Sequence, residues 1–373
     1  MQIVLIVDDD PIIAGGLAMT LERSGRRIIV CSDLESAELT IEHMPVAAVI
    51  TDVRLTSPFR YEGLDFITHI RKNAPASTIV LMTGAHSAEL ETEALARGAA
   101  AVLAKPFDIS LLEALIPEPE SEAGDAEIIH VPTIREITGG NMLFPMLQPI
   151  VQLSDESHYG YESLARCNTA SILALPDALF DYANRKGCVA ELELACIRTT
   201  FTDCGNVPRL FINLHPAVIV DERLPHVLEE ARAESALHAE QVVLEITEQQ
   251  PLGDPLRVAR QCGTLRALGY SFALDDVGVA YSHLTHVDEI RPKYLKVSQH
   301  FGTSFEVDST RRKIVANILA LANELECQLV LEGIETFATR DAARAAGIGL
   351  GQGYLFGRPS RGKVNKLGSH LEN

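Results

Sequence analysis

Two hydrophobic rhythms run along this chain. Up to about residue 116, short continuous apolar runs alternate with stretches in which apolar positions recur every three to four residues. A continuous run of four to eight apolar residues fits a strand buried on both faces, and the longer period fits a helix packed on one side. Strands are predicted at 3–7, 27–31, 47–51, 78–82 and 101–104, with helices near 11–24, 34–44, 63–73, 88–98 and 108–116. Five such cycles predict an α/β domain with a doubly wound five-stranded parallel sheet, whose ligands gather at the C-terminal strand ends.

From residue 143 the pattern changes. Apolar runs now end on chemically capable side chains: Glu162, Asn213, Glu245, Asp275 with Asp276, Lys296 and Glu332, and Gln352 follows in Leu-Gly-Gln-Gly. Helical stretches near 176–202, 222–237, 254–268, 310–326 and 337–346 separate most of them, which predicts a TIM-like (β/α)8 barrel ending at the apolar segment 353–357. In such barrels the chemistry sits where strands end, so these groups are expected on one rim. Between the two patterns, residues 117–128 hold five acidic side chains and no basic one, a composition that cannot bury a core. The expected organisation is therefore a first domain at 1–117, an acidic linker at 118–142 and a barrel at 143–373.

Composition narrows the function classes. A chain of 373 residues exceeds one ordinary core, in agreement with two domains. No run approaches the ~20 apolar residues of a membrane span, and the start Met-Gln-Ile-Val-Leu-Ile-Val-Asp lacks a basic n-region. A cytoplasmic protein without membrane partners is expected. The seven cysteines form no CxxC pair, which points to reduced thiols and no zinc site. His215, in Asn-Leu-His-Pro, is read as structural. A net charge of -19 opposes a duplex nucleic acid partner.

In the first domain, Asp8 and Asp9 end the first strand, Asp52 the third, Thr83 the fourth and Lys105-Pro106 the fifth. Three carboxylates, a hydroxyl and an ammonium at one sheet edge suit a single Mg²⁺ and a phosphoryl group, with Asp52 as nucleophile. The motifs VDDDP at 7–11, TDVRL at 51–55, MTGA at 82–85 and AKPF at 104–107 resemble a response regulator receiver domain. That resemblance implies Asp52 as phosphoacceptor, Mg²⁺ on Asp8 and Asp9, phosphoryl contacts from Thr83 and Lys105, a cis Lys105–Pro106 bond and a cognate sensor histidine kinase. Val102 stands where that family often carries an aromatic switch residue.

In the barrel, clustered carboxylates and an amide oxygen suit hard cations such as Mg²⁺ or Mn²⁺. YESLARC at 161–167, LFINLHP at 210–216, VVLEITE at 242–248, FALDDVG at 272–278, YLKVS at 294–298, LEGIET at 331–336 and GQGYLFGRP at 351–359 resemble EAL-type phosphodiesterases, which hydrolyse cyclic di-GMP to linear pGpG. The resemblance implies Glu162, Asn213, Glu245 and Asp275 around a first metal, and Asp275 with Asp276 at a second. It further implies substrate contacts from Gln148 and Arg166, a water oriented by Lys296 and Gln352, Glu332 as general base or metal-linked proton acceptor, loop support from Glu248 and Glu335, and a homodimer. The chain departs from the family's usual DDFGTGYSS at Val277, Val279, Ala280 and His283, has Ser298 where aspartate is usual, and has Cys167 and Asn168 in place of a tryptophan neighbourhood. Two functions stay open: a metal-dependent phosphodiesterase controlled by receiver phosphorylation, or a weak or silent barrel acting as a cyclic di-GMP receptor or protein-interaction module.

Overall fold

The computed structural model describes residues 1–55, 62–121, 123–247, 254–278 and 287–361. The chain divides into two compact units, Met1–Met142 with Cys167–Cys188, and Leu143–Arg166 with Val189–Asn373.

In the first unit, strands β1 (Gln2–Val7), β2 (Arg26–Cys31), β3 (Val46–Asp52), β4 (Thr78–Thr83) and β5 (Ala101–Ala104) alternate with helices α1 (Pro11–Thr20), α2 (Leu34–His43), α3 (Glu62–Asn73), α4 (Ala88–Arg97) and α5 (Ile109–Leu115). Helix starts follow local chemistry. Asp10 accepts from the backbone N–H groups of Ile12 and Ile13 with Pro11 opening α1, and Asp33 caps α2 through Ser36 N–H. The strands pair in parallel, in the order β5-β4-β3-β1-β2. Val4, Ile6, Ile28, Val30, Ile50, Val80 and Met82 form one buried core with Leu17 and Leu21 of the first helical segment and Leu112 of α5.

The sixth strand, β6 (Glu127–His130), corrects the expected five-stranded sheet and the reading of 118–142 as linker alone. Ile128 and Ile129 supply apolar surface inside the acidic stretch, β2 offers a free edge, and Arg27 pairs with Glu127 at 2.6 Å across it. Helix α6 (Ile134–Gly139) follows, closed by a Thr133–Glu136 capping box. The helix expected over 176–202 is two. Helix α7 (Pro176–Arg185) groups with the first unit, and the chain breaks at Gly187, whose φ of +67° is glycine's region.

In the second unit, β7 (Leu143–Gln152), β8 (His158–Cys167), β9 (Leu210–Leu214), β10 (Val242–Thr247), β11 (Ser271–Val277), β12 (Tyr294–Val297), β13 (Gln328–Leu331) and β14 (Leu350–Gln352) close into a barrel. Helices α8 (Val189–Asp203), α9 (Pro216–Ile219), α10 (Leu224–Ala233), α11 (Pro255–Ala267), α12 (Val287–Ile290), α13 (Gln299–Gly302), α14 (Ser309–Glu324) and α15 (Phe337–Ala345) fall between its strands. Pairing is parallel from β8 to β14, but β14 meets β7 antiparallel, Leu350 facing Gln152. The barrel is thus not parallel throughout. Its last strand also precedes the expected 353–357 segment, where Phe356 and Gly357 donate back to the Gly353 carbonyl and form a turn instead.

Strand alternation sets the layers. Ile150, Phe211, Val243, Ala273, Tyr294, Val330 and Leu350, from seven strands, pack together as one apolar layer inside the barrel. The intervening Ile212, Leu244, Leu274, Leu295 and Leu329 join the larger core under the helices. Because side chains repeat every two residues, the position two beyond each interior residue points the same way. Close packing extends to α13. A Cβ on Gly302 would lie 1.6 Å from the Glu332 carbonyl oxygen, so only glycine lets this helix approach the end of β13. Gly302→Ala should lower stability by about 1–3 kcal/mol in urea denaturation, the cost of forcing backbone apart in a packed region.

Candidate metal centre and active site

Stepping two residues along each strand from the interior apolar layer gives Asn213 from Phe211, Glu245 from Val243, Asp275 from Ala273, Lys296 from Tyr294, Glu332 from Val330 and Gln352 from Leu350. On β8 the residue two before Glu162 is Gly160, where a Cβ would stand 3.0 Å from the Phe211 ring. The glycine leaves room for the apolar layer beneath the site. One period-2 rule therefore collects the predicted polar groups in a single interior layer.

Lys296, with no solvent exposure, lies at the middle. Its Nζ is 3.2 Å from Glu162 Oε2, 3.0 Å from Glu245 Oε1, 3.2 Å from Asp275 Oδ1 and 2.9 Å from Glu332 Oε1. Asn213 Nδ2 donates to Glu162 Oε1 at 2.8 Å, and Gln352 Nε2 donates to Glu162 Oε2 at 2.6 Å. Burial and charge then separate the carboxyl groups. Burial pushes Glu162 up, but Lys296, Gln352 and Asn213 outweigh it and hold the group below the usual range. Burial wins at Glu245, which lies well above that range, and at Asp275, also raised; neighbouring carboxylates add to both shifts. Glu332 is pushed up to about 8 by burial against the pull of Lys296. Burial opposes the charge on Lys296 too, yet the four carboxylates raise it well above an ordinary lysine.

With all four carboxylates ionised, one ammonium leaves three negative charges surplus in a dry interior, a state that only cations or protons can relieve. Glu162, Glu245 and Asp275 each offer an oxygen within 4.8 Å of the others. Glu245 Oε2 is buried and makes no hydrogen bond. An all-oxygen donor set with an unpartnered anionic oxygen fits a hard divalent ion.

The layer opens into a cleft of about 330 Å³ that Gln148, Asp276 and Glu335 also line. Asp276 has a φ of +56°, an uncommon conformation for a residue with a Cβ. Arg166 is not in that lining; its guanidinium donates to the Ala165 carbonyl at 2.8 Å. Glu248, Val279, Ala280 and His283 lie outside the described residues. Ser298 is buried beside α13, and Cys167 is a buried free thiol. His215 caps α9, its Nδ1 accepting from Ala217 N–H.

Sequence reading missed Glu193. This α8 carboxyl is only 6% exposed, its Oε1 accepts from His215 N–H at 2.7 Å, and its Oε2 has no partner. The sign was there: Glu193 falls on the buried stripe of Val189, Ile197 and Thr200 at helical spacing.

In the first unit, Lys105 Nζ is 2.8 Å from Asp8 Oδ2 and 2.6 Å from Asp52 Oδ2. Burial opposes the Lys105 charge, but those carboxylates raise its pKa overall. Asp9 is raised by burial and by the nearby acidic groups. Thr83 ends β4, its hydroxyl accepting from Ala85 N–H, and the Lys105–Pro106 bond is cis. Val102 lies in β5 and is nearly buried.

Residues 134–359 match the family described as EAL domain, and residues 4–117 match the response regulator receiver domain. The chain belongs to the EAL domain family and carries a receiver domain ahead of it. It is 30% identical over 218 residues to the probable cyclic di-GMP phosphodiesterase PdeB of Escherichia coli, a match covering 57% of this chain and 41% of PdeB. It is 25% identical over 380 residues to the cyclic di-GMP phosphodiesterase RocR of Pseudomonas aeruginosa, covering 95% of both. The chain thus spans less than half of PdeB and nearly all of RocR. Among solved structures, the pH 6 manganese/cy-diGMP complex of Klebsiella pneumoniae BlrP1 aligns with a TM-score of 0.54 at 26% identity, over 60% of this chain and 57% of that one. No helix of the described residues is long and apolar enough to cross a membrane.

Burial holds the Glu193 carboxyl at about 8, with the His215 hydrogen bond pulling the other way. Its folded pKa exceeds its unfolded one, so its contribution is fully present below about pH 4.3 and is lost as pH rises to about 8. Glu193→Gln should melt like the parent at pH 5 and be the more stable protein at pH 8 by about 2–4 kcal/mol, read from denaturant melts across that interval.

Proposed function

We propose that this chain is a two-component response regulator whose barrel hydrolyses cyclic di-GMP to linear pGpG with divalent metal, under control of Asp52 phosphorylation by a cognate sensor histidine kinase. The observation that carries this reading is the buried set Glu162, Glu245 and Asp275, whose oxygens lie within 4.8 Å of one another around Lys296. The names of PdeB and RocR support the substrate, and the manganese complex of BlrP1 supports the metal.

Glu162, Asn213, Glu245 and Asp275 would hold one ion, and Asp275 with Asp276 would help hold a second. Bound Mg²⁺ or Mn²⁺ supplies Lewis-acid neutralisation of the phosphodiester and activation of water. The chain's own groups do the rest. Asn213 gives its N–H to Glu162, which leaves its amide oxygen for ligation. Gln352 is fixed the same way, and its buried Oε1, without a hydrogen bond, is an acceptor for the attacking water. Lys296 is held so firmly in its charged form that it serves as donor and electrostatic anchor rather than as base. Glu332, with its pKa near 8, would accept the proton of the water as the water oxygen attacks phosphorus in line, while the P–O3′ bond breaks and O3′ leaves as a hydroxyl that takes its proton from solvent. Gln148 and Glu335, which line the cleft, face the nucleotide. In the receiver, Lys105 offsets the charge arriving on Asp52.

Purified protein given cyclic di-GMP with Mg²⁺ or Mn²⁺ should yield pGpG on chromatography. Chelation should stop turnover, manganese should restore it, and Glu162→Ala should reduce it by at least about 10–100-fold. Nucleotide binding without product would replace the enzyme with the receptor. Asp52→Asn should leave turnover unresponsive to a phosphodonor; a response equal to the parent's would remove Asp52 from the control.

A further inference from the structure

Segment Cys167–Cys188 interrupts the second unit in chain order but packs with the first. It leaves from the end of β8, the strand of Glu162, and returns directly into α8, the helix of Glu193. One end thus joins a strand of the metal centre, and the other joins the helix whose Glu193 is hydrogen-bonded to the backbone just beyond Asn213. At the exit, Glu193 holds the N–H of His215, two residues beyond Asn213.

The segment's grip on the receiver is built from specific groups. Helix α7 packs against α2, with Ala178, Leu179, Tyr182 and Ala183 buried along one side. The Tyr182 hydroxyl donates to Asp33 Oδ2 at 2.6 Å in a buried contact, while Asp33 Oδ1 accepts Ser36 N–H and caps α2. Arg185 bridges Glu38 at 3.2 Å and Glu42 at 2.7 Å, and Lys186 lies 3.3 Å from Glu35. Asp33 is in turn close to the phosphorylation pocket. Asp8, which shares Lys105 with Asp52, donates its backbone N–H to Cys31 O at 3.2 Å, two residues before Asp33. A phosphoryl group on Asp52 adds charge beside Lys105 and competes for it with Asp8.

We propose that Cys167–Cys188 is the element through which the state of Asp52 reaches the strands of Glu162 and Asn213, with Tyr182 and Arg185 as its hold on α2. The idea rests on the reading of Asp52 as phosphoacceptor, and it specifies the route that the proposed control takes. A strap fastened to the receiver, continuous with the strand of Glu162 and with the helix whose Glu193 holds the backbone beyond Asn213, transmits a shift of α2 to both.

The test is hydrogen exchange on the full chain with and without beryllofluoride and Mg²⁺, read in parallel with cyclic di-GMP turnover. In the parent, peptides over 83–105, 167–188 and 210–215 should all change on adding the mimic. In Tyr182→Phe and in Arg185→Glu the 83–105 response should persist and the 210–215 response should vanish, with Arg185→Glu/Glu42→Arg restoring it. Turnover with and without the mimic should differ by about 5-fold or more in the parent and in the charge-swapped pair, and be equal in the single variants. A 210–215 response in the single variants equal to the parent's overturns the proposal, as does a silent 167–188 in a parent whose 83–105 responds. If 83–105 itself does not respond, the Asp52 reading and this proposal fall together. Absence of turnover in the parent removes the enzyme reading alone, since exchange still decides the route.

Discussion

One ammonium group organises the barrel interior. Lys296 stands within 3.2 Å of four carboxylates on four different strands or strand ends, where burial leaves the charges poorly screened. Remove it and those carboxylates have no positive partner within the layer, a situation proteins tolerate only by protonating or by binding metal. The apolar layer below depends on the same arrangement, because Tyr294 occupies the same strand face two residues earlier. The receiver repeats the device at smaller scale, with Lys105 between Asp8 and Asp52. In both units a single lysine holds acidic groups close enough to share a cation or a phosphoryl group.

Much of this was legible in the chain. The apolar runs located the first five receiver strands, because a strand buried on both faces has no polar alternation to blur its ends. The barrel residues were legible for a related reason: on most strands an apolar interior residue comes two positions before the polar group of the layer, so the end of each apolar run marks it. What escaped depended on partners distant in sequence. Strand β6 is acidic in composition and becomes a strand because β2 offers an edge and Arg27 a countercharge. The 176–202 helix read as continuous because its composition gives little sign of Gly187 acting as a break. Glu193 was passed over because glutamate on a helix is ordinarily solvated, and only the neighbouring apolar stripe betrays its burial.

Relatives and geometry support different parts of the reading. The match to RocR along nearly the whole chain speaks for the pairing of receiver and barrel, and the oxygen cluster speaks for the metal. The departures from the family at Val277 and Ser298 sit beside the cluster rather than within it. Val277 closes β11 as a buried apolar residue, and Ser298 opens α13. Glu162, Glu245 and Asp275 themselves offer oxygens within 4.8 Å of one another.

The raised Glu245, Asp275 and Glu332 carry a consequence for how the barrel is charged with metal. Burial favours the protonated forms of these groups, so a divalent ion taken up there would displace protons. Acidification of the surroundings would therefore oppose loading by the same chemistry through which a rise in available magnesium or manganese would favour it.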